Sequence, residues 1–147
     1  MEAIKVPECD IVLMGYTCSG KQVFANKFLK RHVKIDMRDI SPEIFRGNKN
    51  KTYSWRIIKY ISEAVNGIAP IAVIVANNSR AHRLKILEKL KRPAELYYIK
   101  RDPIACLEEN GGNTEVLHEP LKSEGFSRIT IIENESYKFK RISRKEI

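Results

Sequence analysis

The 147 residues are one domain's length, and 43% hydrophobic with 31% charged side chains suits a single packed core and excludes wholesale disorder. With 27 basic and 18 acidic residues the net charge is +9, which favours a polyanionic partner, nucleic acid or nucleotide phosphate, and says nothing about fold. The longest apolar run, Ile68 to Ala76, contains Pro70 and is too short to cross a bilayer, the start Met1-Glu2-Ala3-Ile4-Lys5 has no signal-peptide core, and Cys9, Cys18 and Cys106 are too scattered for a disulfide framework or zinc site, so no membrane partner and a cytoplasmic location are expected.

In chain order, Ile11 to Met14 is a short apolar run ending at Gly15, and Val23 to Arg31 carries Val23, Phe24, Phe28 and Leu29 at helical spacing. The extended piece His32 to Asp36 precedes Ser41-Pro42, a helix start, and Thr52 to Val65 repeats the helical period until Asn66-Gly67. Ile71 to Ala76 is continuous and rich in β-branched residues, as in a strand buried on both faces of a parallel sheet. Arg80 to Lys91 reads as a basic helix with Leu84, Leu87 and Leu90 inward, followed by the strand Glu95 to Ile99, in which one of Tyr97 and Tyr98 packs and the other tops the sheet edge. A short helix from Pro103 to Glu109 breaks at Gly111-Gly112, Thr114 to Lys122 is compatible with one more helix, and Phe126 to Ile132 is a last strand. This alternation predicts an α/β fold: one domain over residues 1–135, a mostly parallel sheet of about five strands, and helices on both faces. Residues 136–147, with Lys138, Lys140, Arg141, Arg144 and Lys145, read as a basic tail, frayed or partner-bound.

Gly15-Tyr16-Thr17-Cys18-Ser19-Gly20-Lys21 satisfies G-x-x-x-x-G-K between a predicted strand and a predicted helix, the context of a phosphate-binding P-loop. The two glycines let the backbone turn tightly and bring N–H groups to phosphate oxygens, the helix N-terminus adds partial positive charge, and Lys21 supplies a point charge for the β/γ-phosphates. The usual Ser or Thr after the lysine, which would hold Mg²⁺, is replaced by Gln22, whose amide oxygen can coordinate the metal or a metal-bound water.

With that loop, with Arg38-Asp39 after the second strand, Asn77-Asn78 ending the third, Arg80 and Arg83 on the next helix, and Asp102-Pro103-Ile104-Ala105-Cys106 with Asn110 before a lid-like segment, the chain resembles the small P-loop kinases of the phage polynucleotide 5′-kinase, RNA-repair kinase and zeta-toxin group over about residues 10–133. The resemblance implies ATP or another NTP and Mg²⁺ as cofactors, a P-loop kinase-like domain, and a nucleic-acid partner, the 5′-hydroxyl end of RNA or DNA. It implies Lys21 and Asp39 as catalytic residues, Asp39 being the general base, with residues 15–22 (Gly15, Tyr16, Thr17, Cys18, Ser19, Gly20, Lys21 and Gln22) around the nucleotide. Arg38, Arg46, Arg80 and Arg83 are the candidate substrate-binding cations, and Gln22 and Asp36 the candidate Mg²⁺ ligands. The lid departs from the group: Glu108-Glu109 stands before Asn110 where an arginine is expected, so Arg80, Arg83 or Arg101 would have to replace it. Beside polynucleotide phosphorylation stand a small-metabolite or nucleoside kinase and a catalytically impaired nucleotide- or RNA-binding module.

Overall fold

A strand with no polar alternation has to be covered on both faces, and β1 (Asp10–Met14) and β3 (Ile71–Ile74) are buried along their whole length. The computed structural model describes residues 4–37, 67, 69–75, 78–112 and 114–146. Within them lie β1, α1 (Lys21–Phe28), β2 (Val33–Asp36), β3, α2 (Arg80–Leu90), β4 (Ala94–Lys100), α3 (Pro103–Glu109), a 3₁₀ turn (Lys122–Glu124), β5 (Arg128–Glu135) and β6 (Lys138–Glu146). The described strands form one six-stranded sheet in the order β2-β3-β1-β4-β5-β6, parallel from β2 to β5, with β6 antiparallel to β5.

The period of two sends alternate side chains to opposite faces. Val12, Met14, Val73, Leu96 and Tyr98 meet Ile86 and Leu90 of α2 on one face, while Ile11, Leu13, Ala72, Tyr97 and Ile99 meet Phe24 and Ala25 of α1 on the other. At the bottom of the sheet, the Asp10 carboxylate accepts from Ile71 N–H at 2.9 Å and from both Arg92 Nε and Nη2, which helps pin β3 beside β1.

Several expectations change. The basic tail is not frayed: it forms β6, whose Phe139 packs edge-on against Phe24 and Phe28 with ring centroids 5.3 and 5.9 Å apart. One aromatic anchor and a ladder of backbone bonds outweigh a charge pattern that reads as solvated chain. Thr114 to Lys122 is not helical. His118 N–H donates to Asn78 O at 3.1 Å and Leu117 bridges Asn78, so the segment lies extended over the end of β3, and Pro120 lacks the N–H that a helix interior would use. On α2, Leu84 points outward at 43% exposure, whereas His82, Arg83, Ile86 and Leu90 point inward. Tyr97 and Tyr98 are both buried, because the sheet is covered on both faces at β4. The helices expected at Ser41-Pro42 and over Thr52 to Val65 lie outside the described residues.

Arg83 turns inward because Glu124 waits there. Its Nε and Nη2 donate to the Glu124 carboxylate at 2.7 and 3.0 Å, Nη1 donates to Asn78 O at 2.8 Å, and both side chains are buried. Arg83→Ala is expected to lower unfolding free energy by about 3–5 kcal/mol in urea denaturation, since it strands a buried carboxylate. The double variant Arg83→Met with Glu124→Leu should lose far less. Equal losses in both would show that packing volume, not the stranded charge, sets the cost.

Candidate nucleotide-phosphate site

The loop from Gly15 to Gly20 leaves the C-terminal end of β1 and runs into α1, at the sheet edge where open α/β folds place ligands. Gly15 sits at φ 149°, and a Cβ there would run into the Ile99 carbonyl oxygen and lie 2.6 Å from Ser19 Oγ. Gly20 sits at φ 100°, where a Cβ would be 2.5 Å from Asn134 Nδ2. Both positions therefore require glycine. Cys18, at φ 68°, completes the tight turn together with Ser19 N–H donating to Tyr16 O at 2.9 Å.

Asn78, Asn134 and Arg101 are among the side chains from other elements that hold this loop. Asn78, 1% exposed at the end of β3, accepts from Gly15 N–H at 2.9 Å and donates to Gly15 O at 2.7 Å. Asn134 on β5 donates to Ser19 O at 2.7 Å and accepts from Tyr137 N–H at 2.7 Å, tying the β5–β6 turn to the loop. Arg101, just past β4, donates to Cys18 O at 2.8 Å and to Glu109 Oε1 at 2.5 Å. That hydrogen bond holds the Glu109 carboxyl below its ordinary range and pushes the Arg101 guanidinium up. Glu109, one of the two lid acids, is therefore paired with an arginine rather than left facing the loop.

Lys21 is 3% exposed, and its ammonium donates to Gly15 O and, at 3.1 Å, to Tyr16 O. It sits inside the turn, where an entering phosphate would meet it. The first turn of α1 contains no acid and its N-cap makes no side-chain hydrogen bond, so its partial positive charge is not offset locally. Ser19 Oγ is buried against Gly15 without a hydrogen-bond partner among the described residues. A phosphate oxygen suits that hydroxyl, the helix terminus and the lysine together. Tyr16, Thr17 and Cys18 are half-buried along the loop, and Gln22 is exposed on the first turn of α1.

A cavity of about 160 Å³ adjoins the loop, lined by Lys21, Gln22, Val23, Glu109 and Tyr137. Tyr137 and Ser136 form the β5–β6 turn with φ of 62° and 52°, a conformation glycine and asparagine adopt far more readily than tyrosine. The Tyr137 ring is 48% exposed and lies 6.0 Å from the Arg101 guanidinium carbon. A larger groove of about 610 Å³ runs between the ends of β4 and β5, past Tyr16, Lys100, Asp102 and Glu133.

Asp36 ends β2, buried, in register with Ile74 of β3. It shares the C-terminal sheet edge with the loop, two strand spacings or roughly 9–10 Å from β1. Arg80 is half-buried, and its guanidinium donates to Glu119 O at 3.2 Å and lies 3.5 Å from Glu124 Oε2. Arg83, a candidate substrate-binding cation, has a wholly buried guanidinium engaged with Glu124 and Asn78 O. Arg38, Asp39 and Arg46 lie outside the described residues. Asn134, Tyr137 and Glu115 reach the loop without any local sequence signal: all are brought there by tertiary contacts.

The sequence matches no family model and no curated protein. The architecture does match solved structures. A sugar kinase from Janibacter sp. superposes with TM-score 0.62 at 12% identity, over 86% of each chain. A gluconokinase from Sinorhizobium meliloti gives 0.56 at 16% identity, over 86% of this chain and 82% of the other. A structure from the PezAT chromosomal toxin–antitoxin system of Streptococcus pneumoniae gives 0.56 at 13% identity, over 96% and 73%. The chain has the fold of the P-loop kinases.

Lys21→Ala should leave the far-ultraviolet circular dichroism spectrum unchanged and weaken ATP binding at least tenfold in calorimetric titration, because it removes the ammonium from the turn while Phe24 and Ala25 still pack α1 on the sheet. Undiminished ATP affinity would remove the phosphate role from the loop.

Proposed function

We propose that the protein is an ATP-dependent phosphotransferase that moves the γ-phosphoryl group to a hydroxyl acceptor. The observation carrying this reading is the G-x-x-x-x-G-K loop folded between β1 and α1, with both glycines in conformations that require glycine and Lys21 turned into the loop. In this reading Gln22, on the first turn of α1, and Asp36, at the end of β2, would hold Mg²⁺, which is commonly bound by one or two carboxylates with substrate phosphates and water. When bound it would neutralise charge on the transferring phosphoryl group. Arg101, already on the loop through Cys18 O, is the described arginine best placed to supply the charge that the lid lacks.

Acceptance of the phosphoryl group by a 5′-hydroxyl of a polynucleotide is supported by the net charge of +9 and the resemblance at Arg38-Asp39, with Asp39 as general base. A small-metabolite acceptor is supported to a similar degree, since two neighbours are described as a sugar kinase and a gluconokinase. γ-Labelled ATP offered with 5′-hydroxyl RNA, 5′-hydroxyl DNA, nucleosides, sugars and gluconate separates these readings. Transfer to RNA or DNA alone selects the first, transfer to a small molecule the second, and ATP binding without transfer to any acceptor leaves a binding module. In the productive case Asp39→Asn should retain ATP affinity and lose a factor on the order of 10²–10⁴ in rate.

Tyr137 supplies a half-exposed aromatic face at the rim of the loop cavity, suited to stacking on the nucleobase. Tyr137→Ala should weaken ATP binding roughly 5- to 100-fold, the range of base–aromatic stacking. Affinity for inorganic tripolyphosphate, which has no base, should not change. An equal loss for both ligands would make Tyr137 a support of the loop rather than a platform for the base.

A further inference from the structure

One carboxylate already sits on the loop. Glu115, on the extended segment after α3, accepts from Thr17 N–H through Oε1 and from Thr17 Oγ1 through Oε2 at 3.2 Å. The two bonds bridge 98 residues of sequence. Loop N–H groups of this kind are what a P-loop offers to phosphate oxygens, and a carboxylate presents the same chemistry: a delocalised anion with two acceptor oxygens. Resting on the phosphate-loop reading above, we propose that Glu115 is an internal competitor for phosphate, seated on Thr17 and displaced when a polyphosphate enters.

The chain is built for such a displacement. α3 ends with Gly111 and Gly112 at φ 67° and 76°, and a Cβ on Gly112 would meet nothing within 4 Å, so the link to Glu115 starts from an uncrowded, glycine-rich turn. Beyond Glu115 the segment is fixed, by His118 N–H on Asn78 O and by the Leu117 bridge to Asn78. Glu115 thus lies between the glycine turn and the bridge at Leu117. It also lines a cavity of about 180 Å³ with Tyr16, Cys106, Leu107 and Asn110, so its departure from Thr17 reshapes that cavity as the phosphate arrives. Two negative groups cannot share the Thr17 donors, and the apparent affinity for phosphate is reduced by the fraction of molecules in which Glu115 holds them.

The test is calorimetric titration of inorganic tripolyphosphate and of ATP into wild-type protein and into Glu115→Ala, Glu115→Gln, Glu133→Ala and Lys21→Ala. Glu115→Ala should bind tripolyphosphate on the order of tenfold more tightly. Glu115→Gln, which keeps a neutral acceptor, should fall between it and wild type. Glu133→Ala removes an equal charge from the neighbouring groove without touching Thr17, and should change affinity much less. Amide hydrogen exchange adds a direct readout: Thr17 N–H should lose protection in ligand-free Glu115→Ala and regain it with tripolyphosphate. If Glu115→Ala binds no more tightly than wild type or Glu133→Ala while Lys21→Ala abolishes binding, the phosphate loop stands and the competitor role is overturned. If no protein in the series binds either ligand, the phosphate-loop reading fails and carries the competitor role with it.

Discussion

The two hydrogen bonds between the Asn78 side chain and the Gly15 backbone are the constraint on which the site rests. A loop that offers its N–H groups to a ligand cannot also use them all on itself, so its shape must be imposed by neighbours. Asn78 imposes it by accepting from Gly15 N–H and donating to Gly15 O, and is itself placed by the β1–β3 pairing and by Arg83, whose Nη1 holds the Asn78 carbonyl. Arg83 in turn is fixed by Glu124. A buried ion pair, a buried amide and the first glycine of the loop therefore form one connected chain from α2 to the phosphate site, in which each polar group satisfies the next.

This edge of the protein pairs its own charged groups. The Lys21 ammonium meets loop carbonyls, Arg101 meets Glu109 and Cys18 O, and the Thr17 donors meet Glu115. The Lys21 and Arg101 cations are thereby held by neighbouring carbonyls and a carboxylate. The arrangement also changes the meaning of the acidic lid. Glu109 lies in a hydrogen bond with Arg101, so the negative charge of this segment is offset locally.

Elements with a local cause are legible in the sequence. The loop needs seven consecutive residues between a strand and a helix, β3 needs a continuous apolar run rich in β-branched residues, and α3 needs Pro103 in the first turn and a glycine stop, to which the structure adds Asp102 as N-cap. β6 is not legible, because a nine-residue stretch dominated by charge is anchored by Phe139 and by backbone bonds to a strand that must already be in place. The turn of Arg83 toward the core follows the same logic, since nothing within α2 announces an acid forty-one residues away.

The sequence by itself determined the parallel core and the glycine–lysine loop, because hydrophobic period and glycine backbone freedom act over a few neighbouring residues. Only the tertiary structure decided which polar side chains surround the loop. Asn134, Tyr137, Arg101 and Glu115 reach it from separate segments, and the strength of a hydrogen bond or ion pair depends on distance and burial in space, to which separation along the chain is no guide.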